Sequence, residues 1–232
     1  MQSILKPIRG TFNASVRCRT VKRFLRWHSW TNQRKENEMD KVEILGIAGS
    51  LRKGSYNRSA LNAARKWAPQ GTALNLIELH DLPVFNQDDE MTPPAAVLEF
   101  KRRIMAADAI LFATPEYNYS LPGVLKNAID WASRPYGQSA WLGKPAALMG
   151  VSVGTLGSVR AQYHLRQILV SQNMPVVNLP EVMISNAAQR FDINGELTDE
   201  PTQQLVQKML VALVQLTLET RSARKARGAA SA

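Results

Sequence analysis

Lys41-Val42-Glu43-Ile44-Leu45-Gly46-Ile47-Ala48 runs without interruption into Gly49-Ser50-Leu51-Arg52-Lys53-Gly54-Ser55-Tyr56-Asn57. The first eight residues read as a short apolar strand, and the glycine- and serine-rich stretch ends it. Residues 57–68 then place Leu61, Ala64 and Trp67 on one helical face. A strand passed through a tight loop to a helix is the opening unit of a βαβ fold. Pro69-Gln70-Gly71 closes the helix, and residues 72–79, with Leu74, Leu76 and Leu79, read as a second strand.

The alternation continues outward from this unit. Residues 81–92 form a polar loop, and Pro93-Pro94 suits the first turn of a helix reaching Ala107. Ala109-Ile110-Leu111-Phe112-Ala113 is a continuous apolar run, as expected of a strand buried on both faces. A helix over 122–133, a strand over 145–151 and a helix over 158–172 follow. Pro175-Val176-Val177 begins a short fifth strand, 180–199 is irregular, and 201–219 closes the domain as a helix with Leu205, Met209, Leu213 and Leu216 at helical spacing. The pattern predicts an α/β, flavodoxin-like three-layer sandwich with a five-stranded parallel sheet of order 2-1-3-4-5.

The 232 residues carry a formal charge of +10, unevenly divided. Residues 1–38 contribute +7, residues 221–232 contribute +4, and the body at 39–220 is close to neutral at −1. A nucleic-acid binder is expected to carry a basic face and a recognition motif within its folded body, so neither nucleic acid nor membrane is an expected partner. The lone Cys18 excludes an internal disulfide framework and multi-cysteine metal sites. No apolar run approaches the ~20 residues that cross a bilayer, which predicts a soluble, cytoplasmic protein. Three readings of 1–38 stand side by side: residues upstream of a physiological start at Met39, a disordered or loosely docked basic extension, or an arginine-rich transit peptide. Val21 to Trp30 has the makings of a short basic amphipathic helix. Residues 221–232 read as a frayed, basic, disordered tail.

For strand order 2-1-3-4-5 the ligand crevice lies between strands one and three, beyond their carboxyl ends. The first loop there, Gly49 to Asn57, has the chemistry of a phosphate cradle. Glycine permits close backbone approach, the following helix offers free N–H groups, and Ser50, Ser55, Asn57 and Arg52 add donors. The competing reading is an ordinary loop whose polar residues cap the helix. The second loop, Thr114-Pro115-Glu116-Tyr117-Asn118-Tyr119-Ser120-Leu121-Pro122-Gly123, offers polar groups and two aromatic rings to a flat heterocycle, or is simply a proline-bounded turn. A third, Val151-Ser152-Val153-Gly154-Thr155-Leu156-Gly157, can place N–H groups beside the same ring.

Gly49 to Asn57, Pro115 to Ser120 with Pro122-Gly123, and Leu125-Lys126-Asn127-Ala128-Ile129-Asp130-Trp131 together resemble the NAD(P)H-dependent FMN reductase family, and within it the bacterial chromate and quinone reductases. Gln162 to Leu169 adds to the subgroup resemblance, which covers roughly 42–220. It implies bound FMN, NADPH or NADH as co-substrate, and reduction of quinones, flavins, azo compounds or chromate. By the same resemblance Ser50, Leu51, Arg52, Lys53, Gly54, Ser55, Tyr56 and Asn57 hold the FMN phosphate. Pro115, Glu116, Tyr117 and Asn118 line the ring system, and Val151 and Ser152 approach it, although Val151 stands where relatives often carry a polar residue. No acid–base residue is nominated, because the flavin carries the chemistry.

His28, His80 and His164 lack partners at ligand spacing, so no metal site is expected. Lys126 and Asp130 suit an intrahelical pair, and Asp88-Asp89-Glu90 a solvated turn. A homodimer or homotetramer is expected, with Arg160, Tyr163 and Glu181 as interface candidates. Two other function classes remain open: a flavodoxin-like electron carrier, and a regulator acting through the basic ends.

Overall fold

The five strands, β1 (Val42–Ala48), β2 (Thr72–Ile77), β3 (Ala109–Ala113), β4 (Ala146–Val151) and β5 (Val182–Ile184), are all parallel and lie in the order β2-β1-β3-β4-β5. This arrangement comes from a computed structural model that describes residues 41–230; the expectations for 1–38 lie outside them. The helices are α1 (Tyr56–Lys66), α2 (Ala95–Ala106), α3 (Gly123–Ala132), α4 (Val159–Ser171), α5 (Ala187–Arg190) and α6 (Glu200–Ala230). In register, Gly46 of β1 lies opposite Leu76 on one side and Leu111 on the other.

The sheet buries both faces, which is why its strands read as apolar runs rather than as alternating ones. One face packs Ala60, Leu61 and Ala64 of α1 and Val206, Met209, Leu210 and Leu213 of α6. The other packs Phe100 and Ile104 of α2, Leu125 and Ile129 of α3, and Leu165 and Leu169 of α4. Every residue of β3 is fully buried, as befits the central strand. On the second face the fully buried Trp141 packs against Phe100 and Phe112. Its indole N–H donates to Ile129 O at 3.1 Å, so no polar atom of the ring is left unpaired.

Two elements differ from expectation. The fifth strand lies at 182–184, not at 175–177. Val176 forms only an isolated bridge to Ala146, and the chain regains the sheet where Val182 meets Met149. Pro175 and Pro180 have no N–H to give a ladder, which breaks the run between them. The closing helix, in turn, does not fray at Arg221 but continues to Ala230. Arg221 pairs with Asp108 at 2.5 Å and donates to Lys41 O, while Arg224 donates to Gly143 O. These basic residues anchor the carboxyl-terminal part of the helix to the amino ends of β1 and β3 and to the approach to β4.

The acidic stretch near 88–90 includes a short 3-10 turn, Gln87–Asp89, on the exposed loop before α2. That loop is pinned from α3: Asn127 and the Trp131 indole both donate to Pro83 O at 2.8 Å, and Phe85 N–H donates to Asn127 Oδ1.

Candidate functional site

The loops after β1, β3 and β4 meet along one rim of the sheet, at the point where strand order reverses. Ladder bonds carry them to that rim together. Gly49 N–H donates to Ala113 O at 2.8 Å, Thr114 N–H to Met149 O at 3.0 Å, and Ser152 N–H to Ile184 O at 3.0 Å.

In the first loop Ser50 and Ser55 are buried, whereas Leu51, Arg52, Lys53 and Gly54 are exposed. Ser55 is the N-cap of α1, accepting from Arg58 N–H, and Ser50 Oγ accepts from Arg52 N–H. The N–H groups of Tyr56 and Asn57, at the start of α1, have no acceptor within the helix. Among the described residues Arg52 and Lys53 form no ion pair, so two uncompensated cations stand beside the positive end of a helix. This is the donor set a phosphate monoester requires. Tyr56 instead turns its ring onto Phe191, 5.4 Å away. The same loop forms one wall of a cleft of ≈ 530 Å³ that reaches Phe191 to Gly195.

The second loop is a tight turn. Tyr117 and Ser120 exchange both backbone hydrogen bonds at 3.0 Å, and Asn118 and Tyr119 between them have φ of 50° and 68°. Both central residues are left-handed, the signature of a type I′ turn, for which asparagine is suited and tyrosine is not. Arg160 lies over the Tyr119 ring, 3.7 Å from its centroid. His164 Nδ1 meets Ser120 Oγ at 3.0 Å. Pro115 is buried, while Tyr117 and Asn118 face solvent at the rim. The Glu116 side chain is only 8% exposed and is held by Arg160, which raises the arginine pKa further. Glu116 therefore braces the loop and does not line its open edge.

In the third loop Gly157 N–H donates to Ser152 Oγ, which in turn donates to Gly154 O at 3.0 Å. Val153, Gly154, Thr155 and Leu156 are exposed. Val151 presents nothing to a ligand: its side chain is in the core, and Asn57 takes both its N–H and its carbonyl. Gly150 beneath it has no room for a methyl group, since a Cβ would stand 2.7 Å from Thr114 O. The Asn57 side chain is itself buried and engaged in this contact.

Of the expected site residues, Ser50 to Tyr56, Pro115, Tyr117, Asn118 and Ser152 gather at the rim; Asn57, Glu116 and Val151 form its frame. Sequence reasoning missed Tyr119, Ser158 and Gln162 as parts of that frame. An asparagine in a short turn was the one available cue to the I′ geometry. Arg160 is engaged within its own chain, and Tyr163 hydrogen-bonds Glu181, which raises the phenol pKa. Lys126 and Asp130 pair as expected, at 2.7 Å. Among the described residues no three His, Cys, Asp or Glu side chains cluster as metal ligands.

A cradle for phosphate beside an aromatic-edged turn fits FMN, whose ends differ in just this way. Comparison with known proteins agrees. The family model described as NADPH-dependent FMN reductase matches residues 42–189. The chain is 52% identical over 175 residues to an NAD(P)H-dependent FMN reductase of Pseudomonas aeruginosa, covering 75% of this chain and 94% of that one. It is 50% identical to a quinone reductase of Pseudomonas putida over 155 residues, 66% of this chain and 83% of the other. The solved structure of FerB, a flavoenzyme NAD(P)H:(acceptor) oxidoreductase from Paracoccus denitrificans, superposes with a TM-score of 0.72 at 39% identity, over 77% of this chain and 98% of that one. With sheet order, rim loops and kinship in agreement, this chain belongs to the NADPH-dependent FMN reductase family.

Proposed function

We propose that this chain is an NAD(P)H-dependent reductase of quinones that holds FMN with its phosphate in the first loop and its ring system against the second. The observation that carries this reading is the convergence of the unpaired Arg52 and Lys53, at the head of α1, with the Tyr117–Ser120 turn on one rim. FMN held by these loops would supply the hydride- and electron-transfer chemistry between NAD(P)H and the acceptor. Overall, NAD(P)H, a proton and a quinone yield NAD(P)⁺ and a hydroquinone.

The chain's own part is binding and orientation. Ser50, Ser55 and the first-turn N–H groups donate to phosphate oxygens, and Arg52 and Lys53 balance their charge. Tyr117 and Asn118 set one edge of the ring pocket, and the exposed 153–156 backbone sets another. An open rim of this kind also admits free flavins, azo compounds and chromate as acceptors. Tyr117, Val153, Leu156 and Tyr163 leave apolar surface around the rim, which a second copy in a homodimer or homotetramer would cover. No described helix is long and apolar enough to cross a membrane, in keeping with a cytoplasmic enzyme.

Anaerobic titration of the purified protein tests the assignment. Flavin absorbance that bleaches with NADPH and returns with benzoquinone is expected; flavin bands unmoved by NADPH would make the chain an electron carrier instead.

A further inference from the structure

Asn57 belongs by position to the phosphate-facing loop, yet its side chain works elsewhere. It is 3% exposed, and its two ends grip one residue 94 positions away: Nδ2 donates to Val151 O at 3.2 Å, and Oδ1 accepts from Val151 N–H at 3.0 Å. β1, which leads into the loop, and β4, which ends at Val151, are not neighbours, because β3 lies between them. The contact therefore links the head of α1 to a strand that the β1 ladder does not reach.

The Val151 end is the root of the third loop, and further buried bonds fix that loop upon it. Ser158 Oγ also donates to Val151 O, at 3.3 Å. The buried Gln162 sends Nε2 to Gly157 O and Val182 O at 3.3 and 3.1 Å. Displacement of Val151 is thereby passed to Ser152, its chain neighbour, and to the far end of the third loop through Ser158. Asn57 is the one described side chain of the first loop or α1 that hydrogen-bonds this assembly.

We propose that the Asn57 side chain is a positioning group: it couples the first loop to the third, so that the two ends of the flavin are met in fixed register, and it does not itself contact the phosphate. The inference rests on the FMN reading of the site. A phosphate ligand and a coupling residue differ in what they do to riboflavin, which has the ring system and ribityl chain of FMN but no phosphate.

The test compares FMN and riboflavin binding to the flavin-free protein, by fluorescence quenching, in wild type, Arg52→Ala, Asn57→Asp and Asn57→Ser. Asn57→Asp retains an acceptor for Val151 N–H but opposes the Val151 carbonyl; Asn57→Ser is uncharged and too short to hold both groups. Arg52→Ala is expected to weaken FMN while sparing riboflavin. Asn57→Ser is expected to weaken the two flavins by the same factor, roughly tenfold or more, and Asn57→Asp to weaken both, FMN further because of its added negative charge. Hydrogen–deuterium exchange should quicken at 49–57 and 151–158 while β2 keeps its wild-type rates.

Loss of FMN affinity alone in the Asn57 variants would make Asn57 a phosphate ligand and overturn the proposal. Exchange that quickens equally in β2 would reduce Asn57 to general support of the fold, and unchanged affinity for both flavins would remove its role. A wild-type protein that binds neither flavin would instead overturn the FMN reading itself.

Discussion

The Glu116 carboxylate caps helix α4 from outside that helix, through Arg160. One oxygen takes the Arg160 guanidinium, and the other accepts the backbone N–H groups of Arg160 and Ala161 at 3.1 and 3.4 Å. Ser158, at the N-cap position itself, is left-handed and makes no side-chain capping bond. A buried carboxylate from the second loop thus satisfies orphan donors that the local sequence leaves open, and it complements the helix dipole.

This relationship makes Glu116 a support of the ring-side loop. Glu116→Ala is expected to retain FMN, because the first loop is untouched, while kcat/KM for a quinone falls roughly ten- to hundredfold from misplacement of the turn. Steady-state kinetics on the flavin-loaded variant check this, and an unchanged kcat/KM would show that the turn holds itself.

Tyr119 occupies a left-handed position that glycine fills without cost. Tyr119→Ala and Tyr119→Gly both lose the ring beneath Arg160, but only the glycine variant also loses the backbone strain. Urea unfolding should find Tyr119→Gly more stable than Tyr119→Ala by about 1 kcal/mol. Equal stabilities would mean that the positive φ carries no strain.

Gly157 combines a φ of +56° with a backbone wall: a Cβ there would lie 2.6 Å from the carbonyl carbon of Met183. Gly157→Ala is expected to cost at least about 2 kcal/mol, with left-handed strain supplying part and the overlap with β5 the remainder. Because the clash is with backbone, no rotamer change relieves it. A thermal midpoint within a degree or so of wild type would contradict this.

Asp199 precedes α6 and accepts from Thr202 N–H at 3.0 Å and from the Thr202 hydroxyl, with Arg190 alongside. The hydrogen bond from the Thr202 side chain is the largest cause holding its pKa below the ordinary carboxylate value. The folded pKa is the lower one, so this stabilisation is complete above about pH 4 and is lost as pH falls through the folded value. Asp199→Ala should cost about 1 kcal/mol near neutrality and flatten the acid limb of stability below about pH 4, where the carboxylate is protonated. An unchanged acid limb would place the titration elsewhere.

Four strands and the rim loops were legible in the sequence because each is a local signal: an unbroken apolar run or a loop rich in Gly, Ser and Pro. Ala109 to Ala113 matches β3 residue for residue. β5 was not, because Pro175 and Pro180 split an already short element and its position depends on Met149. The last turns of α6 escaped for a related reason: Arg221 and Arg224 are ordered by Asp108, Lys41 O and Gly143 O, far away in the chain. At the site, composition located the loops but could not assign their side chains. Asn57 and Glu116 read as ligands because they are polar residues in ligand loops; the partners their side chains take, 94 and 44 positions away, leave no local signal.

The central claim is that the first and second loops hold a single FMN, end to end. A crystal structure of the FMN complex measures this directly. The account predicts phosphate oxygens at the Ser50–Tyr56 loop and the head of α1, with the ring system edged by Pro115 to Asn118. FMN bound instead in the cleft toward Phe191 to Gly195, with the Tyr117–Ser120 turn untouched, would contradict it.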